Sequence, residues 1–237
     1  MNIKQKLTWA FAIIACLPVV LVATLVVLNL RSDAKDGFID SSGREIRQVS
    51  NAMQLFFDGI SQNVEYLAKQ PLITNSDDSL KTYMSANAAS VPQGEADKKL
   101  FSFLQDLGNA HPSYAYAILG TAAGGYVSWP DDAKLANYDP RQRPWYKAAQ
   151  AKPGKPFRTE AYYWAENDTS YVSTVRTIDN KLGTNGGVVS IDVSLKQLTE
   201  LVKQIKLGET GYLMLLENNG TVLVADRSAS TLTAVDP

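Results

Sequence analysis

Tyr138-Asp139-Pro140-Arg141-Gln142-Arg143-Pro144-Trp145-Tyr146 crowds three aromatic rings and two guanidiniums into nine residues. Pro140 and Pro144 stiffen the backbone that carries them. Aromatic faces attract cations, an Arg fork grips a carboxylate through two parallel hydrogen bonds, and phenol hydroxyls add neutral donors and acceptors. Such a set suits a small zwitterion. Pro144 can take the first position of a helix running through Ala149, which turns Trp145 and Tyr146 toward one side beside Arg143. The competing reading is a Pro-stiffened turn whose Trp and Tyr fill a core while Arg141 and Arg143 face water. Arg141 is expected to brace the loop by pairing with Asp139 or Asp131.

Around this stretch the composition closes off several kinds of chemistry. The formal net charge of the 237 residues is −1, so no basic field draws the chain to nucleic acid. Cys16 is the single cysteine, which excludes an intrachain disulfide and leaves no thiolate cluster for zinc. His111 is the single histidine and precedes Pro112 where a helix stops, so a capping or surface role is expected of it. Most acid-base and nucleophilic schemes therefore lack parts, and no cofactor or metal is called for.

Upstream, residues 8–30 carry no charged side chain, slightly more than the ~20 residues that span ~30 Å of hydrocarbon. A transmembrane anchor is expected. Its competitor is a cleaved signal peptide, but the apolar run continues through Leu25, Val26, Val27 and Leu28, beyond a normal signal core. Arg31, Lys35, Arg44 and Arg47 outnumber Lys4 and Lys6, so charge alone does not place the C-terminal side outside. Ile39, Ile46, Met53, Ile60 and Leu67 then recur at every seventh position, with Val49 and Phe56 between them. That period predicts a long helix, pairing with a copy of itself or packing on its own domain, and ended by Pro71.

Past the polar residues near 76–90, Leu100, Leu104 and Leu107 predict an amphipathic helix over 95–109. Residues 114–119 and 126–129 read as a hairpin closed by Gly124 and Gly125, in preference to a phosphate cradle. Beyond the nine-residue stretch, 157–164 and 170–178 read as paired strands and 188–193 as an apolar strand containing Asp192. A connecting helix is expected over 194–206, and 212–216 with 221–225 as a second hairpin around Asn218-Asn219-Gly220. Asn167 and Asn219 each begin a glycosylation-type triplet. Helices grouped against consecutive antiparallel strands predict an α+β fold.

These segments together resemble the extracytoplasmic sensor of bacterial transmembrane receptors, the double Cache family found on methyl-accepting chemotaxis proteins. The resemblance covers nearly the whole chain. It is carried by the membrane and long helices, Tyr126-Val127-Ser128-Trp129-Pro130-Asp131, the 138–146 stretch, Gly187-Val188-Val189-Ser190-Ile191-Asp192-Val193-Ser194-Leu195 and Lys206-Leu207-Gly208-Glu209-Thr210-Gly211-Tyr212. It implies a cytoplasmic N-terminus (1–7), a transmembrane helix (8–30), a stalk helix (31–70) and a membrane-distal, PAS-like antiparallel sheet module with the ligand site (71–195). A connecting helix (196–207) and the truncated start of a membrane-proximal module (208–237) follow. The sensor is placed in the periplasm, on the inner membrane of the cell, as a homodimer whose downstream signalling domains lie outside this chain. In the amino-acid-binding branch, the resemblance assigns ligand contacts to Tyr138, Arg143, Trp145, Tyr146, Tyr162 and Asp192, with adjacent Tyr163 leaving the register of the later Tyr open by one. Arg143, helped by the Trp145 indole N–H, would hold the ligand carboxylate. Asp192, with the tyrosine faces or hydroxyls, would hold its ammonium. Asp192 has a second reading as the cap of the helix that starts near Ser194.

The leading expectation is thus a non-enzymatic receptor module that binds a small L-amino acid and signals through the membrane helix. The alternative is a sensor for an amine or other small organic ligand on a histidine kinase or a diguanylate cyclase. A membrane-anchored hydrolase lacks a paired carboxylate, a metal cluster and a Ser-His pair. A transport-linked binding protein would require cleavage near Thr24.

Overall fold

The computed structural model describes residues 2–76, 79–85, 92–131, 135–179, 185–203, 214–217 and 220–225. The run 206–212, the turn residues Asn218 and Asn219, Asp77 and Asp78, and most of the polar stretch near 85–90 lie outside these residues. So does the expected last turn of the connecting helix.

Helix α1 runs from Ile3 to Ala68, with Pro18 inside it. Part of it is long and apolar enough to cross a membrane, by length and composition. The chain divides into two compact units, residues 1–51 and 52–237. In the first, Ile39 and Ile46 of the seven-residue stripe are exposed. In the second, Met53, Ile60 and Leu67 of the same stripe are buried, with Phe57 and Val64. Gln70, extended as a residue before proline must be, ends the helical path, and Pro71 opens the short α2 (Pro71–Thr74).

Helix α3 (Glu95–Ala110) buries Leu100 and Leu104. Asp97 at its start accepts from the Gly94 and Lys81 amides, both at 2.9 Å. His111 closes it, its Nδ1 2.8 Å from the Leu107 carbonyl and its ring stacked on Tyr114. Because a carbonyl only accepts, Nδ1 carries the proton and Nε2 faces the Asn63 amide of α1 at 3.2 Å.

Strands β1 (Tyr116–Thr121) and β2 (Tyr126–Trp129) form the expected hairpin, with Gly124 at φ 92° in its turn. Then come β3 (Phe157–Arg158), β4 (Tyr162–Trp164), β5 (Thr169–Asp179) and β6 (Asn185–Ser194). The antiparallel sheet has the order β2-β1-β6-β5, with β3 and β4 following one another along the outer edge of β5. The strand expected over 157–164 is therefore two. Thr159 still donates its amide to the Ser173 carbonyl at 2.8 Å, but the Ala161 amide turns away to the Glu217 carboxylate at 2.7 Å.

Helix α4 spans Pro144–Ala151 and α5 spans Leu195–Lys203. Ser194 caps α5: its hydroxyl accepts from the Gln197 amide (3.1 Å), and the Gln197 side chain accepts from the Ser194 amide (3.2 Å). Strands β7 (Met214–Leu216) and β8 (Val222–Ala225) pair as a separate hairpin. The architecture is α+β, as expected.

Strand register sorts the sheet into two faces. Ala117, Leu119, Val172, Val189, Ile191 and Val193 share one face and are buried. On that face Arg176 pairs with Glu65 of α1 at 3.0 Å, and Arg158 lies 4.3 Å over the Phe57 ring. Trp129 presses on α3 at Gly108, where a Cβ would fall 2.0 Å from the indole. The opposite face meets α4 and carries the site.

Candidate functional site

Alternation along each strand sets what the α4 face contains. β1 contributes Tyr116, Ile118 and Gly120, β6 contributes Ser190 and Asp192, β5 contributes Tyr171 and Ser173, and β4 contributes Tyr162 and Trp164. Gly120 is where the nine-residue stretch seats itself: a Cβ there would lie 2.7 Å from Trp145 and 3.2 Å from Pro140. The stretch is also held from within. The Arg141 fork donates to both Asp139 oxygens at 2.9 Å, and the Arg141 amide donates to Asp139 at 3.0 Å. That pairing holds the Asp139 carboxyl below its ordinary range. The Tyr138 amide donates to the Tyr83 carbonyl at 2.7 Å. With the loop thus fixed, Pro144 takes the first turn of α4, and Arg143, extended at φ −79° and ψ 150°, stands at its mouth.

Between α4 and the sheet lies a cavity of about 290 Å³ of atom-free space. It is lined by Tyr116, Ile118, Tyr126, Tyr138, Trp145, Tyr162, Trp164, Tyr171 and Asp192. Asp192 is 2% exposed. It accepts from the Tyr162 hydroxyl at 3.0 Å and from the Ser190 hydroxyl, and the Ser173 hydroxyl lies 3.0 Å from that of Tyr162. It has no ion pair. Burial pushes its carboxyl above the ordinary range, and the three hydroxyls only partly oppose that shift.

Arg143 is not a lining residue but lies over two residues that are, its guanidinium carbon 4.1 Å from the Trp164 ring centre and 5.0 Å from that of Tyr138. Its Nε is buried without a hydrogen-bond partner among the described residues. An orphaned buried donor on a cation over aromatic faces can take an anion. The Tyr138 hydroxyl, whose pKa burial raises, is lowered by Arg143 and raised by Asp192, so both charges act on one group at the cavity.

Of the six residues singled out from the sequence, Tyr138, Trp145, Tyr162 and Asp192 line the cavity and Arg143 stacks on its wall. Tyr146 is buried but is not a lining residue, and its ring meets that of Trp145 edge to face at 5.5 Å. Trp145 lines the space beside Tyr138. Tyr162 turns inward, whereas Tyr163 is 60% exposed and donates to Asp168. Helix α5 is capped by Ser194, which leaves Asp192 free of that duty. Tyr116, Ile118, Tyr126, Trp164, Tyr171, Ser173 and Ser190 were not singled out. The usable signal for Trp164 and Ser190 was the period of two, from Tyr162 and from Asp192.

The sequence pattern of the Cache domain family (dCache_1) matches residues 32–235. The chain belongs to the Cache domain family. Over 178 residues this Cache chain is 30% identical to the methyl-accepting chemotaxis protein McpA of Pseudomonas putida, covering 68% of the chain and 28% of that protein. Over 102 residues it is 38% identical to the methyl-accepting chemotaxis protein McpB of Bacillus subtilis, covering 43% and 15%. The chain thus spans less than a third of the length of these receptors. Among solved structures, it is similar to the ligand-binding domain of the amino acid chemoreceptor PctC of Pseudomonas aeruginosa in complex with GABA. The TM-score is 0.57 at 25% identity, over 76% of the chain and 71% of that domain. It is also similar to the ligand-binding domain of the Pseudomonas fluorescens chemoreceptor CtaA in complex with L-isoleucine, with TM-score 0.54 at 26% identity over 75% and 64%.

Proposed function

We propose that the chain is the sensor portion of a transmembrane chemoreceptor, and that it binds a small L-amino acid by its carboxylate and ammonium groups. One observation carries this: the buried Asp192, with no ion pair among the described residues, lines an aromatic cavity, and the Arg143 guanidinium, its Nε buried and unpartnered among them, lies over two of that cavity's rings. Arg143 takes the ligand carboxylate and Asp192 takes its ammonium, while Tyr138, Tyr162 and Trp164 supply ring faces. A charged hydrogen bond nets about 1.5–3 kcal/mol and a desolvated cation over a ring about 2 kcal/mol. Against the ~8 kcal/mol of micromolar binding, the two ends of the ligand supply much of the affinity. Amino acids bound in the similar domains of PctC and CtaA support the same reading.

In this proposal residues 8–30 anchor the receptor in the inner membrane, the sensor faces the periplasm, and two copies associate along α1. The module performs no catalysis and needs no cofactor or nucleic acid. The test is titration calorimetry of the full chain in detergent with a panel of L-amino acids. Binding heat that disappears in Arg143→Ala is expected. No heat from any amino acid, or tighter binding once the carboxylate is blocked, overturns the reading, and the second result points to an amine.

A further inference from the structure

We infer that the side chain of the bound amino acid lies against a wall made by Tyr116 and Tyr171, and that this wall, fastened by the Asn167 amide, selects uncharged side chains. The inference rests on the amino-acid reading above and adds the class of ligand.

Charge comes first. Asp192 is the one acid lining the cavity, and Arg143 the one cation stacked on its wall, among the described residues. The ligand's own ammonium and carboxylate use both. The nearby cations are committed elsewhere: Arg141 to Asp139 at 2.9 Å, and Lys81 over the Tyr83 ring at 4.5 Å. On the cavity side of the wall an acidic ligand side chain therefore meets no second cation, and a basic one no second acid, among the described residues. Burying either without a partner forfeits affinity.

The wall is set by geometry. Tyr116 and Tyr171 meet edge to face with centroids 5.6 Å apart. Both also line a second, more open groove with Thr169, Ser194, Lys196, Gln197 and Glu200, so the two rings stand between the cavity and that groove and hold its charged residues apart from the ligand side chain. One side-chain amide spans them. Asn167, in the turn after β4, donates from Nδ2 to the Tyr171 hydroxyl at 2.6 Å and to the Tyr116 hydroxyl at 3.2 Å. The cavity is narrow as it stands, so a ligand side chain enters only as far as this partition yields toward the groove. Asn167 touches no ligand in this arrangement. It is a positioning residue that acts through two rings.

Calorimetry of the full chain in detergent with L-alanine, L-leucine, L-aspartate and L-lysine tests both halves. The uncharged pair is expected to bind at least about ten-fold tighter than the charged pair. In Asn167→Ala, the leucine-to-alanine affinity ratio is expected to rise at least about three-fold, while Arg143 and Asp192 keep alanine bound. Tyr171→Phe, which retains the ring and loses only the hydroxyl, is expected to shift the ratio the same way. General loss of stability would weaken all ligands alike and leave that ratio unmoved. Charged amino acids binding as well as uncharged ones, or a ratio unchanged in both variants, overturns the inference and leaves the amino-acid reading standing. Absence of heat from all four overturns both.

Discussion

Asp192→Asn separates a ligand-holding carboxylate from a structural one. Asp192 already accepts from two hydroxyls, those of Tyr162 and Ser190, out of the roughly four lone-pair sites a carboxylate offers. About two sites remain for an ammonium. Asn keeps the shape and can still accept through its carbonyl oxygen, so the hydroxyl network survives in outline. What disappears is the charge. For the ligand, losing the charged partner while its ammonium stays buried costs about 2–5 kcal/mol, a drop in affinity of roughly 30- to 4,000-fold. For the empty protein the sign reverses, because a carboxylate with a raised pKa is an unfavourable charge in the folded state and its removal is neutral or stabilising. The assay is paired: calorimetry with the tightest-binding L-amino acid, and thermal unfolding of the ligand-free chain, both at neutral pH. A lowered midpoint with unchanged affinity would refute the reasoning, since it would make Asp192 a brace for its hydroxyl partners.

The same carboxyl sets a pH dependence. Its folded pKa lies above the unfolded one, so the folded chain holds the extra proton between the two, and ligand-free stability falls as pH rises through that window. An ammonium requires the ionised form, so ligand affinity is expected to rise with pH over the same window, with proton release visible as a buffer-dependent binding enthalpy; a buffer-independent enthalpy there contradicts it. Arg143→Lys keeps the charge and loses the fork, and affinity is expected to fall at least about ten-fold with little change in unfolding midpoint, as read by calorimetry and thermal melts. Gly120→Ala places a Cβ 2.7 Å from Trp145 and 3.2 Å from Pro140, and is expected to cost about 1–3 kcal/mol in urea unfolding. Ser194→Ala removes the α5 cap, with an expected loss of about 1 kcal/mol and unchanged ligand affinity.

The nine-residue stretch was legible because its determinants are local: Pro140 and Pro144 fix φ, Asp139 and Arg141 meet two residues apart, and Pro144 starts a helix. The hairpin at Gly124 and the capping role of His111 were legible for the same reason. What escaped was set across strands. That Tyr116 lies opposite Asp192, and Ser173 beside it, depends on the register of β1, β5 and β6, which no single segment encodes. The break of 157–164 into two strands depends on Glu217, more than fifty residues downstream, drawing off the Ala161 amide. Whether Tyr162 or Tyr163 faces inward is a one-residue phase, fixed only by pairing with β5.

That register also bears on how occupancy leaves the site. Ser190 and Asp192 face the cavity, while the intervening Ile191 and the following Val193 are buried at the helix-facing side of the same strand. In the proposed complex, a backbone shift of Asp192 toward the ligand ammonium is expected to carry Ile191 and Val193 with it, because a close-packed layer has little slack to absorb such a shift. Arg176 on the adjacent strand carries that face to Glu65 of α1. At the other edge, Tyr162 holds Asp192 while its neighbour Ala161 is tied through Glu217 to the β7–β8 hairpin. One buried carboxylate thus touches two routes, one into the long helix and one into the following sheet. A ligand moves either only by the difference in its affinity for their two arrangements. The variant to compare with Asp192→Asn is then Glu217→Gln, which weakens the second tie and leaves the ligand's own contacts in place.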